Sequence, residues 1–407
     1  MLLASPATMA ARSVARFAGR PAIAGLLVAI AMLAAPIVSA PLNRLSSPFA
    51  LLIVLPPLAL ALDAYGWSAQ LAAPLRRLDP ARVRLLGTYA VWLATSALLT
   101  LDVAAVAAAS VGIGVAGRRA DERRWQLGSA ILGANVGSLL LPFSNLTNLV
   151  LVAASGVGLA TYVRLAIGPQ LAAAVAVGML LTSRGSASLE LGDASAGPGA
   201  KGLTPTAAVS TVGQISHATK LAAVVALGGA AVAVAFGLMG LNMAIPFAAS
   251  AAVLTGSAVA SSRLRLGSLL AAIPWAGLGI VAIAALSAGL LGAAAGAVPM
   301  PDGGLGGLLL ALAMGGLLAA VINNLPAAAF GAAWLARAHP AAIVAYLIGT
   351  NLIAIATPHG SVATLLVRAK GARHGVMTPA AVHLATAWRY AAVGAIAGFA
   401  ALLVVAH

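Results

Sequence analysis

The sequence predicts an all-α polytopic membrane protein, an inverted repeat with two re-entrant helical hairpins and two broken transmembrane helices, and three observations predict it. The composition is too oily for a soluble body, apolar runs of membrane-crossing length recur along the chain, and polar interruptions recur in both halves at one spacing. Of 407 residues, 62% are hydrophobic and 8% charged, with a mean hydropathy of +1.04. Soluble domains carry about 25% charged residues. The net charge of +15 comes from 23 Lys and Arg against 8 Asp and Glu. These basic residues sit in short gaps between apolar runs, which is the pattern of cytoplasmic membrane loops and not of a nucleic-acid face. The chain has no cysteine, so thiolate metal sites and cysteine nucleophiles are excluded. The six histidines show no HExxH spacing, and no GxxxxGK[ST] run is present. The expectation is therefore a protein without cofactor, metal or enzymatic activity of its own.

A spanning helix needs about 20 mostly apolar residues. Stretches of that kind fall near 21–40, 47–64, 85–117, 126–160, 165–182, 217–260, 269–300, 303–336, 341–367 and 380–405. Residues 1–20 read as a basic cytoplasmic N-terminus. Val38-Ser39-Ala40 resembles a cleavage site, but the preceding run exceeds the roughly 7–15 residues of a signal core, so a retained first helix is expected. Residues 21–182 form the first half, with scaffold helices, a hairpin at 85–117 and a broken helix at 126–160. A Gly-, Ser- and Thr-rich cytoplasmic linker is expected at 183–216. Residues 217–407 form the second half, with scaffold helices, a hairpin at 303–336, a broken helix at 341–367 and a final helix at 380–405. The loops at 66–84 and 118–124 both carry four arginines and share the cytoplasmic side. The run between them must then leave by the face it entered, hence a re-entrant hairpin with its tip near Thr100-Leu101-Asp102. The tip of the second lies near Asn323-Asn324.

The repeat carries the chemistry. Gly133-Ala134-Asn135, Pro142, Ser144 and Asn148 align with Gly349-Thr350-Asn351, Pro358, Gly360 and Thr364 at a constant offset of 216 residues. Asparagine is scarce, and six of its eight positions lie in or beside these segments. Paired interruptions in corresponding halves mark a secondary transporter, with its site at the bilayer midplane between broken helices. In each interruption proline removes a backbone donor, neighbouring Ser, Asn and Thr satisfy the freed groups, and a half-helix begins with its positive end exposed. Ser144, Asn145, Asn148, Asn324, Thr357 and Ser361 are the candidate substrate-binding residues, with Asn135, Asn323, Asn351 and His359 supporting them. An acid inside the membrane is a functional candidate by default. Asp102, at a hairpin tip expected to face the first break, is the candidate proton carrier, whereas Asp63, beside Gly66-Trp67, reads as an interfacial cap. His359 is either a titrating group or a hydrogen-bonding filler. The six tryptophans read as interface anchors or packing groups, His217 and Lys220 as an interfacial helix start, and Arg389 as a snorkelling residue.

Ser144-Asn145-Leu146-Thr147-Asn148-Leu149-Val150 resembles the S-N-L-V-N-I-V stretch of arsenite/antimonite efflux permeases, in the ion transporter superfamily. Thr357-Pro358-His359-Gly360-Ser361-Val362-Ala363-Thr364-Leu365-Leu366 is similar to that family's T-P-I-G-S-L-A-T-L-L. Asn323-Asn324-Leu325-Pro326 is similar to its N-N-M-P, and Leu101-Asp102-Val103-Ala104-Ala105 to its N-D-G-A-A. The resemblance covers residues 45–405, with departures at Leu101, where the family has Asn, at His359, where it has Ile, and at an N-terminus one helix short. It implies a scaffold plus a mobile transport unit in the cytoplasmic membrane, with proton-coupled export of arsenite or antimonite. A homodimer and a cytoplasmic ATPase partner are both compatible with it. Arsenite is mostly an uncharged trihydroxide near neutral pH, which amides and hydroxyls can bind. A dicarboxylate, sulfate or sodium carrier of the same superfamily is the alternative, although no Lys or Arg sits at either break.

Overall fold

The computed structural model describes residues 39–78, 81–116, 120–195, 216–273, 275, 278, 298–376 and 378–406. The expected basic N-terminus and first helix at 21–40 lie outside the described residues, apart from the last two positions of that run. Among the described residues every regular element is helical. The first half holds α1 (Ser39–Ala64), α2 (Trp67–Arg76), α3 (Ala81–Leu98), α4 (Leu101–Val115), α5 (Ala120–Gly137), α6 (Leu146–Ser155) and α7 (Leu159–Ser195). The second holds α8 (His217–Leu238), α9 (Ala244–Ala260), α10 (Leu266–Ala272), α11 (Leu305–Ile322), α12 (Asn324–Trp334), α13 (Pro340–Leu352), α14 (Val362–Arg373) and α15 (Ala380–Ala406).

Four of these helices are long and apolar enough to cross a bilayer, within α7, α8, α11 and α15, and the bent pair α1–α2 makes a fifth. Among the ten stretches of the sequence, those at 21–40 and 269–300 lie largely outside the described residues, and several others are cut in two. The α1–α2 bend of 60° turns at Gly66, whose φ of 85° suits a residue without Cβ. α6 has 10 residues, a rise of about 15 Å, or half a hydrocarbon core. Chain breaks stand where the apolar pattern is interrupted: at 99–100 between α3 and α4, at Asn323 between α11 and α12, and around both prolines. At its C-terminal end α7 differs from expectation. It continues to Ser195, into the stretch read as linker; residues 196–215 of that stretch lie outside the described residues.

The halves share one packing scheme. α3 lies against α5 as α11 lies against α13, and α7 and α15 pack on each other. Contacts are also exchanged: α4 packs on α14, and α12 packs on α6. Glycines make the closest of these approaches possible. A Cβ at Gly133 would stand 2.8 Å from Tyr89 O, and one at the equivalent Gly349 would stand 2.3 Å from Leu312 O. The apolar interior falls into two main clusters. One is built from α2–α7 and α11–α15, with Trp92, Tyr162 and Tyr346 fully enclosed. Trp92 is thus a core residue and not an interface anchor. The other joins α1 to α8 and α9 and takes in Phe143 from the first break. Phe143 meets Phe247 edge to face at 4.9 Å.

Candidate functional site

Both prolines lie in true breaks. After α5, Pro142 opens a single 3-10 turn, Pro142–Ser144, and α6 begins at Leu146. After α13, a 3-10 turn spans Ile353–Ala356, Pro358 follows in irregular chain, and α14 begins at Val362. The two half-helices therefore start 216 residues apart, as the repeat requires. Their N-caps keep the same register: Asn145 Oδ1 accepts from Thr147 N at 3.0 Å, and Ser361 Oγ accepts from Thr364 N at 3.1 Å. A side-chain oxygen at this position satisfies one of the donors a helix start leaves free.

At the first break the freed groups are bound tightly. Ser144 Oγ lies 2.6 Å from both Ser138 O and Leu141 O, so its hydroxyl closes the turn. Asn148 Nδ2 donates to Ser138 O at 2.6 Å. A chain of amides then crosses between the halves. Asn145 Nδ2 donates to Asn351 Oδ1 at 2.8 Å, and Asn351 Nδ2 donates to Asn148 Oδ1 at 2.8 Å. All three side chains are buried. Asn351, a supporting residue by its sequence pattern, makes the amide link between the repeats. Its equivalent, Asn135, instead turns back on its own helix, donating from Nδ2 to Ile131 O at 2.8 Å, and its Oδ1 is buried without a partner. Thr147 Oγ1 is likewise buried and unpartnered, a polar group the sequence reading passed over.

The second break joins the tip of the α11–α12 hairpin. Asn324 N donates to Gly360 O at 2.8 Å, and Asn323 Nδ2 donates to His359 O at 2.6 Å. Thr357 Oγ1 donates to Ala320 O at 3.1 Å. Asn323 has φ 99°, a strained value for a residue with a side chain, and its Oδ1 caps α12 by accepting from Leu325 N at 3.1 Å. His359 is exposed, with Nε2 3.2 Å from Val321 O. This hydrogen bond ties its ring to the hairpin tip. The predicted residues thus gather into two clusters, Ser144, Asn145 and Asn148 with Asn351, and Asn323, Asn324, Thr357 and Ser361 with His359, connected by the short segment from Asn351 to Thr357.

Two further residues complete the breaks and carry no motif that announces them. Tyr162, the fourth residue of α7, donates to Leu139 O at 2.5 Å, and His383, the fourth residue of α15, donates from Nε2 to Ile355 O at 3.0 Å. Leu139 and Ile355 are again 216 apart. Asp102 is the second residue of α4, which packs on α5 before the first break and on α14 after the second. Its side chain lies outside the described residues. Asp63 is exposed at the end of α1, where its carbonyl accepts from Gly66 N at 2.8 Å. Among the described residues no group of three or more His, Asp or Glu side chains could hold a metal.

The fold is that of a transporter. The YdaH transporter of Alcanivorax borkumensis, whose crystal structure was described as revealing an unusual topology, superposes with a TM-score of 0.58 over 94% of this chain and 98% of its own, at 16% identity. Likeness at this identity is one of fold. No family model and no curated protein matches the sequence. A multi-pass helical membrane protein with a transporter fold is thus established.

Proposed function

We propose that the protein is a secondary active transporter of the cytoplasmic membrane that exports arsenite or antimonite in exchange for protons. The observation that supports this substrate most directly is the make-up of the joint between the repeats. Asn145, Asn148 and Asn351 bond to one another and to backbone, and among the described residues no charged side chain is hydrogen-bonded to them. A neutral amide and hydroxyl surface suits an uncharged trihydroxide, which both donates and accepts hydrogen bonds. Asn324, Thr357 and Ser361 extend that surface at the second break. Substrate would reach the breaks alternately from each side as the hairpins and half-helices move against the body formed by α1, α8 and α9, with both hairpins re-entrant. Asp102 at the start of α4 is the proposed proton carrier. The basic ends of α3, α5 and α14 then lie in the cytoplasm.

The test is transport in everted vesicles. Arsenite accumulation should collapse on addition of a protonophore, and Asp102→Asn should abolish the coupling. Coupled transport that survives in Asp102→Asn removes the role given to that residue. Arsenite left untransported by the wild type removes the substrate.

Carriage of a small anion is the second reading. It is favoured by α6 and α14 both starting at the breaks with neutral caps, which leaves two helix dipoles uncompensated. Citrate or sulfate uptake that arsenite does not compete with would select it.

A further inference from the structure

A cavity of about 650 Å³ opens between the N-terminal part of α5, the C-terminal part of α14 and the first turns of α15. It lies at the basic end of the molecule, and its deep wall reaches Ile355 at the second break. Its size falls in the range of small-molecule sites, roughly 300–1,000 Å³. The walls are mainly aliphatic, including Leu127, Ile131, Leu132 and Val367. The charge is one-sided: Arg124, Arg368 and Arg389 line it against the single acid Asp121. Asp121 is taken up by Arg124, at 3.3 Å, and Arg389 stacks over Trp388 at 5.7 Å. Among the described residues Arg368 has no such partner. Its Nη1 is buried without an acceptor among the described residues. Arg368 lines the cavity, so an anion there would meet a guanidinium that no carboxylate among the described residues neutralises and would take a charge-assisted hydrogen bond from it.

We propose that this cavity binds an amphiphilic anion, a carboxylate or phosphate head on an apolar body, with the head on Arg368 and the body against the aliphatic wall. Two sources offer that chemistry, a soluble organic acid from the cytoplasm and the headgroup and chain of an anionic lipid. Basic hollows between membrane helices on the cytoplasmic side are suited to the second. Residues of α15 beside the cavity, Val382 and Trp388, are half exposed on the outer face of the bundle, so both a route from water and a route from lipid reach it. The proposal stands apart from the arsenite reading, which vesicle transport tests separately.

Trp125 lines the cavity and serves as the reporter. In protein purified in a neutral maltoside detergent, decanoate and decyl phosphate should change Trp125 fluorescence saturably, and decanol should bind at least tenfold more weakly. Trp125→Phe should remove the signal. Arg368→Gln should weaken decanoate at least tenfold, whereas Arg373→Gln, on the exposed face outside the cavity, should leave it unchanged. Repeating the titration in nanodiscs separates the sources. Decanoate binding that is lost when phosphatidylglycerol replaces phosphatidylcholine identifies lipid as the occupant, and binding equal in both identifies a soluble anion. No saturable signal, decanol binding as tightly as decanoate, or unaltered affinity in Arg368→Gln would overturn the proposal. The comparison of decanoate with decanol uses wild-type protein, so it decides even if Arg368→Gln does not fold.

Discussion

Tyr162 and His383 do the same work from equivalent helices. Each is the fourth residue of the helix that follows a broken one, and each donates to the carbonyl that the break has freed, Leu139 O and Ile355 O respectively. Neither shares the other's chemistry, since one donor is a phenol and the other an imidazole, so the repeat conserves a hydrogen bond where it does not conserve a residue type. In a bilayer no water stands ready to replace such a bond. Tyr162→Phe removes only the hydroxyl from a fully buried ring, and should cost about 1–3 kcal/mol as the price of an unsatisfied carbonyl. His383→Gln, which keeps a donor, should lose less than His383→Leu. Thermal unfolding in detergent measures all three, and a Tyr162→Phe protein as stable as wild type would show that Leu139 O finds another partner.

The amide chain through Asn351 predicts an asymmetric response to two equivalent substitutions. Asn351→Ala removes both bonds that the Asn351 side chain makes to the first half and leaves Asn145 Nδ2 and Asn148 Oδ1 with fewer partners. Asn135→Ala removes one bond within α5 together with an oxygen that is already unpartnered. Transport by the first variant should therefore fall by at least tenfold more than transport by the second. Equal losses would show that Asn135 takes up the bridging role in another state of the cycle.

Gly349 stands where α13 crosses α11 with backbone almost in contact with backbone. A methyl group there would lie 2.3 Å from Leu312 O and 2.6 Å from Gly316 N, neither of which is a side chain that can swing aside. Gly349→Ala should therefore cost about 1–3 kcal/mol through overpacking. Gly256, whose added Cβ would meet nothing within 4 Å, is the matched control, and Gly256→Ala should be neutral or slightly stabilising. A drop in melting temperature confined to Gly349→Ala confirms the close approach.

The breaks and the repeat were legible in the sequence because scarce residues mark them. Two prolines, the paired Gly-x-Asn triplets and a cluster of asparagines stand out against an aliphatic background, and their 216-residue offset carries through to the N-caps Asn145 and Ser361. The division of labour among those residues was not legible. That the Ser144 hydroxyl closes a turn and that Asn351 bonds across to the first half are contacts no local motif announces. Side-chain partners more than 200 residues away leave no local pattern, and Tyr162 and His383 are single polar residues in otherwise apolar runs. The extension of α7 to Ser195 escaped for a different reason. Its last turns are rich in Gly and Ser, whose weak helix preference points to loop. The cavity arginines were visible only as loop charges and, for Arg389, as a snorkelling residue, because facing one another across α5, α14 and α15 is a property of packing.

The absence of cysteine from the chain gives a direct check on the second break. His359 is exposed while Ser361, two residues on, is fully buried as the cap of α14. A cysteine at each position in turn is then the only thiol present. The His359→Cys variant should react with a small hydrophilic maleimide at least tenfold faster than Ser361→Cys, because the latter thiol sits inside the cap. Continuous helix through Thr357–Ser361 would instead place the two positions about 200° apart on one surface, with reactivity set by which side faced lipid. Fast labelling of Ser361→Cys that arsenite then slows would show that α14 uncaps during transport, and would make the cap itself part of the substrate path.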